Sequence, residues 1–557
     1  MDIIKLYKNR ARQIVENKIK ALYGINYNAM IIDAKEGYGD LSFPCFELAK
    51  ILKKDIKYVS SEIVNIKDDL FEKVIAVGPY INFYINSTHI NKITIETILK
   101  DNMDYGTFDK KNEIIILEHT SANPTGPLHI GRARNTIIGD TLGRILKKYG
   151  YTVIIHYFVN DIGKQAATLI WGIKEFMIKE EPGKQDRILV KYYQKASESE
   201  KKELNVSELV EKFEAGDLEL IQYSRKYISR ILNGIEETVK KLNVSYDLFF
   251  YESDLILEGY VKDIKDRLKP YIKDEAGAKY IDIPELEGKE KVYLFRADGT
   301  SLYLTRDIAY HLIKARESKF LIDVLGEDHK AHAETIMKIL KKIEPDLNIV
   351  PIFYSFVSLP EGRMSTRKGK VIYLDDLIDE AVQKAKEEIE KRREVPTELL
   401  DNIAFKIGTS AVRYNIIKVQ NEKGIVFDWQ EALNFEGDSA PFILYTYVRA
   451  KSILDKEENL KDFEPALLKD PQELKLIKLL AKYSEIIEIS AKEYKPYKIA
   501  IYSFDLAMQF NQFYRDCPVL KADTAELKNA RLALVRAFKI VIENCASLLG
   551  LNMPEEM

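Results

Sequence analysis

The sequence predicts a multidomain α/β protein. A parallel-sheet domain of the Rossmann type carries an insertion, with a small N-terminal α/β domain before it and a C-terminal all-α bundle after it. Three observations point there. At 557 residues the chain is too long for one core, so three or four domains are expected. Between about 110 and 165, an apolar run, a glycine- and proline-rich turn, a helical period and a second apolar run succeed one another as β-α-β. Beyond Pro396 the apolar residues recur almost only at helical spacing.

Residues 1–105 form the first expected domain. Its opening stretch, MDIIKLYKNRARQIVENKIK, is amphipathic, carries Asp2 and Glu16 and lacks an apolar signal core, so it reads as a surface helix rather than a targeting segment. Gly37-Tyr38-Gly39-Asp40 followed by Phe43, Phe46, Leu48 and Ala49 reads as a turn into an amphipathic helix, and Val77-Gly78-Pro79-Tyr80 as a turn into a strand.

The second expected domain spans 106–385. Ile114-Ile115-Ile116-Leu117 is a buried strand, and the turn follows through Pro124, Gly126 and Pro127. A helix opens near His129 with Ile130, Ile137, Ile138, Leu142, Ile145 and Leu146 on one face, and Val153 to Phe158 makes the next strand. The charged, helical stretch of about 166–290 reads as an insertion whose charges are solvated helix faces. The sheet resumes with Leu321-Ile322-Asp323-Val324-Leu325 and ends at Gly326-Glu327-Asp328-His329. After a charged helix and Glu394-Val395-Pro396, residues 386–557 read as helices over 407–420, 441–454, 473–494, 499–514 and 524–549.

Composition narrows the function classes. A hydrophobic share of 46% and a charged share of 31% describe an ordinary globular protein. No run approaches the ~18 apolar residues of a membrane span, so a cytoplasmic, membrane-free protein is expected. Cys45, Cys517 and Cys545 are too dispersed for a disulfide framework or zinc knuckle, so core packing and no protein-bound metal are expected. A net charge of −3 does not advertise a nucleic-acid partner, and RNA binding would have to use local patches. Six of the seven histidines lie between His119 and His332, which points to chemistry near the centre or to buried structural rings.

Three tracts carry that chemistry. Glu118 to Arg134, EHTSANPTGPLHIGRAR, puts a histidine and a glycine between strand and helix, where backbone N–H groups attract phosphates. His129 can donate to a phosphate oxygen, and Gly131 has no Cβ to hold a flat base away. Gly362 to Lys370 is a glycine-bounded loop with Arg363, Arg367, Lys368 and Lys370; such loops are usually solvated surface, but this one suits a clamp on a triphosphate. Asp298 to Tyr310 sets Tyr303 and Asp307 four residues apart on one helix face, a plausible guanidinium receptor or a merely solvated helix.

The first tract resembles the HIGH motif of class I aminoacyl-tRNA synthetases, and its flanks resemble the arginyl family. MSTRKG within the basic loop resembles that family's KMSKS loop, and YLTRDIAYH its amino-acid-binding helix. Residues 1–105 resemble its N-terminal tRNA-binding domain; Phe435 to Arg449, Phe510 to Arg515 and Arg531 to Met557 resemble its anticodon-binding bundle. The resemblance implies a monomeric enzyme that uses Mg-ATP, L-arginine and the tRNA for arginine and passes through arginyl-adenylate. It implies ATP contacts from His129, Gly131, Arg132 and Met364, with catalysis by His129, Arg132, Ser365, Arg367 and Lys368. Arginine would be held by Glu118, Ser121, Asn123, Tyr303, Asp307, Asp328 and His329. Candidates for tRNA contact are Tyr445, Tyr447, Arg449 and Tyr514. The sequence departs from the motifs at Arg132, which replaces the second histidine of HIGH, and at Arg363 and Thr366, which replace the lysines of the loop. A cysteinyl-type synthetase would need cysteines in its catalytic domain, and none lies between Cys45 and Cys517. A silent tRNA-binding paralogue is the alternative that Arg132 keeps open.

Overall fold

The computed structural model describes residues 2–557 except 65, 178–180, 285–290, 360–361, 364–371, 393 and 458–461. The chain forms two compact units. One comprises Met1–Phe108, Phe442–Ile489 and Ile501–Ala546; the other comprises Asp109–Pro441, Ser490–Ala500 and Ser547–Met557.

The second unit is built on five parallel strands: β1 (Ile114–Glu118), β2 (Thr152–Val159), β3 (Leu248–Tyr251), β4 (Phe320–Gly326) and β5 (Asn348–Tyr354). Their order is β3-β2-β1-β4-β5. Chain direction across the sheet therefore reverses between β1 and β4, the switch point where doubly wound sheets open a crevice beyond the strand ends. Ile115, Ile116 and Leu117 are buried, as a strand covered on both faces requires. Helix α1 (Ile130–Lys148) follows β1, and the six apolar residues expected on its inner face are all buried.

Strand β3 corrects the expected insertion. It lies inside 166–290 yet pairs with β2 from His156↔Leu248 to Val159↔Tyr251. The added material is thus two pieces. Helices within 163–240 separate β2 from β3, and a small antiparallel sheet of Ile272–Glu275, Ala278–Asp282 and Lys291–Phe295 precedes β4. Four residues, Leu-Phe-Phe-Tyr, are too short a run to announce an edge strand amid helical periodicity.

Helix α2 (Tyr303–Glu317) lays Ile308, Tyr310 and Leu312 into a core shared with Phe158 and with Ile336, Ile339 and Leu340 of α3 (Lys330–Ile343). Its Arg306 is buried and donates to Glu252 and Glu214, both at 2.6 Å. Both carboxylates raise the guanidinium pKa more than burial lowers it.

Helix Thr397–Ile417 belongs to this unit, so the compact division falls at Pro441 rather than near 386. Its Arg413 is fully buried; it donates to the Leu549 carbonyl at 2.6 Å, to Asp140 of α1 at 2.5 Å and to the Leu242 carbonyl. Arg413→Ala strips three buried acceptors of their donor, and a loss of about 3–5 kcal/mol is expected. It should appear as a lowered urea midpoint, and an unchanged midpoint would refute the assignment.

In the first unit, Ile3–Tyr23 is a helix capped by Asp2, which accepts from the Lys5 amide at 3.0 Å, and ended by Gly24 at φ 70°. The Gly37–Asp40 turn enters a strand, Leu41–Pro44, before the helix Phe46–Leu52, so the expected direct passage into a helix is corrected. Strands Phe71–Val77 and Tyr80–Ile85 form the hairpin around Gly78. Lys8 bridges Asp33 at 2.8 Å and Glu485 at 2.5 Å, and the Tyr105 hydroxyl donates to the Leu480 carbonyl at 3.1 Å, so the N-terminal residues and bundle helices share one unit. The periodic run 473–494 is two helices, Pro471–Ala481 and Tyr483–Lys492. Ile425–Val426, read among helices, is a strand beside Val357–Leu359, too short to leave a period.

Candidate active site

A cavity opens at the switch point, beyond the ends of β1 and β4. Of the residues proposed from sequence, Glu118, Ser121, Asn123, Arg132, Tyr303, Asp307 and His329 line it. The turn after β1 builds its floor. Thr120 and Ser121 both take positive φ, 68° and 34°, a strained conformation for side chains that branch or carry a Cβ. The surroundings enforce it: Asn135 of α1 accepts from the Thr120 amide, and the Thr120 hydroxyl meets Thr136 at 2.9 Å and Tyr246 at 2.8 Å. Ser121 is thereby aimed back at the strand. Its Oγ donates to Glu118 Oε1 at 2.9 Å and accepts from the Phe158 amide at 3.0 Å.

His129 is the N-cap of α1, and its Nδ1 accepts from the Gly131 amide at 2.9 Å. Burial, helped by the Arg132 charge, holds its pKa below the ordinary histidine value. The ring is therefore neutral at pH 7, with its proton on Nε2 and free to donate. A Cβ on Gly131 would stand 3.1 Å from that ring. The segment after the basic loop is tied to the same place. Ile130 N donates to Ile372 O at 3.2 Å and Leu374 N to Leu128 O at 2.8 Å, while Arg187 sits 4.7 Å from the Tyr373 ring. Met364, Ser365, Arg367 and Lys368 lie outside the described residues.

Asp307 shares a face of α2 with Tyr303, as expected. Its Oδ2 accepts from His332 Nε2 at 2.6 Å, and the His332 ring lies 5.9 Å from that of Tyr303. Burial and the nearby Asp307 carboxylate raise the Tyr303 pKa. Of the residues expected to hold arginine, Asp328 is the exception: like His129 and Gly131 it does not line the cavity, and its carboxylate is mostly in solvent, 3.8 Å from His329 Nε2. The 3-10 turn Glu327–His329 directs alternate side chains apart, which proximity in sequence does not reveal.

Sequence reading missed Lys314, Asp323, His311 and His332. Lys314 is wholly buried, and its ammonium donates to Glu118 Oε2 at 2.9 Å and Asp323 Oδ1 at 2.7 Å. Burial alone would depress its pKa, but Asp323 and Glu118 outweigh that and raise it. The signal that could have found it was a lysine on the apolar face of an amphipathic helix.

Two central histidines are structural. His119 and His156 are buried, each with an unpartnered Nε2, and burial pushes both down to about 4. Their folded pKa lies below the unfolded value, so their contribution is present above about pH 6.5 and lost as pH falls towards 4. Each adds a slope of up to about 1.4 kcal/mol per pH unit. The urea midpoint should therefore drop between pH 7 and 5, and His156→Asn should flatten that drop; an identical slope would refute this.

In the bundle, the Arg449 guanidinium lies 4.8 Å from the Tyr445 ring and 4.9 Å from that of Tyr514, both tyrosines exposed. Tyr447 is instead buried, its hydroxyl donating to Glu543 at 2.9 Å, so its ring offers no face to a base. One residue of helical phase separates inside from outside here.

The chain matches the family model for class I tRNA synthetase (R) catalytic domains over residues 94–429. It matches the DALR anticodon binding domain over 443–557 and the N-terminal domain of arginyl tRNA synthetases over 9–85. Arginine–tRNA ligase of Methanosarcina barkeri is 41% identical over 93% of this chain and 94% of its own length. That of Methanocaldococcus jannaschii is 42% identical over 92% and 93% respectively. The solved arginyl-tRNA synthetase of Thermus thermophilus superposes with a TM-score of 0.85 at 25% identity, covering 99% of this chain and 100% of that one.

Proposed function

Because the chain belongs to the arginyl family of class I aminoacyl-tRNA synthetases, we propose that its switch-point cavity holds L-arginine, with ATP laid across the start of α1. The enzyme joins arginine to tRNA at the expense of ATP, in translation. The observation that carries the assignment of the cavity is the pairing of two carboxylates, Glu118 and Asp307, with the Tyr303 ring beside the one helix start that bears His129 and Arg132.

In this reading the guanidinium lies against Tyr303 and donates to the Asp307 carboxylate, an acceptor matched to a planar fork of donors. Ser121 and Asn123 fix the backbone end of the substrate, with Glu118 and His329 completing the wall. A carboxylate oxygen of arginine attacks the α-phosphorus of ATP, the bond to the bridging oxygen breaks, and pyrophosphate leaves. The ribose 2′-hydroxyl of the tRNA's terminal adenosine then attacks the arginyl carbonyl, and AMP departs. His129 Nε2–H and the helix amides donate to the nucleotide, and Arg132, with Arg367 and Lys368 of the loop, opposes the growing charge on pyrophosphate. Mg2+ enters with ATP as part of that substrate. Tyr445, Arg449 and Tyr514 form a stacking surface for unpaired bases of the tRNA. The enzyme works as a monomer in the cytoplasm; among the described residues, no helix is long and apolar enough to cross a membrane.

Lysine is rejected because a point ammonium leaves planar acceptors unpaired in the cavity. Aminoacylation of an arginine tRNA transcript should proceed with arginine and fall by about 10⁴-fold or more with lysine. Equal rates with the two amino acids, or none with arginine, would sink the reading.

A further inference from the structure

We propose that Lys314 is a positioning residue for amino-acid recognition: it locks the Glu118 carboxylate in one orientation towards the substrate. The inference rests on the assignment of Glu118 to the arginine pocket and deepens it.

The geometry is that of a bracket rather than a packing contact. Lys314 projects from α2, wholly buried, and two of its N–H bonds have carboxylate targets. One meets Glu118 Oε2 at 2.9 Å, one meets Asp323 Oδ1 at 2.7 Å, and the ammonium lies 4.6 Å from the centre of the Tyr310 ring. The other Glu118 oxygen is met by the Ser121 hydroxyl at 2.9 Å. Held at both ends, the carboxylate cannot rotate, and each oxygen keeps one further lone-pair site in a fixed direction. Glu118 therefore presents its remaining acceptor sites to the substrate in one fixed orientation.

The bracket reaches the backbone of Asp307 as well. Asp323 Oδ2 meets His311 Nε2 at 3.0 Å, and His311 Nδ1 meets the Asp307 backbone carbonyl at 2.7 Å. Glu118, Lys314, Asp323, His311 and the Asp307 backbone thus form one hydrogen-bonded chain. It runs from the Glu118 carboxylate to the main chain of the residue that carries the second acidic group. Such a chain couples the orientation of Glu118 to the turn of α2 that bears Asp307.

The test is a double-mutant cycle in steady-state aminoacylation. Glu118→Gln, Lys314→Gln and the double variant are each made in an Asp323→Asn background, so that loss of the ammonium leaves no unpaired Asp323 charge. Lys314→Gln is expected to raise KM for arginine by roughly 10–100-fold. KM for ATP should stay within about twofold, whatever thermal midpoint is lost with the buried ammonium. Added to Glu118→Gln, it should change KM for arginine by no more than about twofold, because the group it positions is already altered. If the cycle cannot be purified folded, Asp323→Asn alone, which keeps side-chain volume, must raise KM for arginine and not for ATP. Additive effects, or Lys314 and Asp323 variants with the parental KM for arginine, overturn the bracket while Glu118→Gln still raises KM. If Glu118→Gln itself leaves KM unchanged, the assignment of the pocket fails instead.

Discussion

Asp307→Asn is expected to lower kcat/KM for arginine by about 10²–10³-fold, the cost of leaving a desolvated guanidinium with a neutral partner, roughly 3–4 kcal/mol. The carboxylate is well placed for so large an effect. It sits mostly out of solvent on α2, one turn from Tyr303, and is already oriented by the His332 ring at 2.6 Å. The amide keeps volume and one acceptor oxygen, so the fold and the nucleotide half of the cavity are retained. The decrement should consequently fall on arginine, in KM and in pyrophosphate exchange, with KM for ATP nearly constant. His332→Gln should produce a smaller loss in the same direction, since it loosens Asp307 without removing its charge. A parental kcat/KM in Asp307→Asn would mean that the guanidinium is gripped elsewhere.

How much of this was legible beforehand differs between the two halves of the cavity. The strand, turn and helix around Glu118 to Arg134 were readable because a central parallel strand is a pure apolar run and the next helix has one apolar stripe. The pairing of Tyr303 with Asp307 was readable because four residues make one helical turn. Lys314, Asp323 and His311 were not, because their roles depend on which strand lies beside which helix. Asp323 looked like one polar residue within an apolar strand, and only the β1–β4 pairing brings it level with Glu118. The misjudged Asp328 and Tyr447 failed for the opposite reason. Motif proximity placed them near a site, but a single step of backbone phase turned Asp328 to solvent and Tyr447 to the bundle interior. Strand β3 was hidden by its length, and the shared packing of N-terminal residues with bundle helices by sequence separations that no local pattern spans.

Arg132 tests the nucleotide half. It stands in the first turn of α1, half-buried, and is the only Lys or Arg among the described residues that line the cavity. The other charged lining groups are Glu118, Asp307, Asp323 and histidines, an acidic field that attracts arginine but opposes a triphosphate. A fixed guanidinium at the helix start resolves that conflict locally, adding to the α1 amides and to the His129 Nε2–H. Because its contribution grows as charge moves onto pyrophosphate, Arg132→Ala should cost about 10²–10³-fold in kcat for both pyrophosphate exchange and aminoacylation, with KM for arginine changed by a few-fold at most. Arg132→His restores a donor at the same turn and should retain activity within about tenfold of the parent. Two results would overturn this role. Full activity in Arg132→Ala would show that the charge is dispensable, and an inert parent rescued by Arg132→His would show that the arginine blocks the nucleotide site.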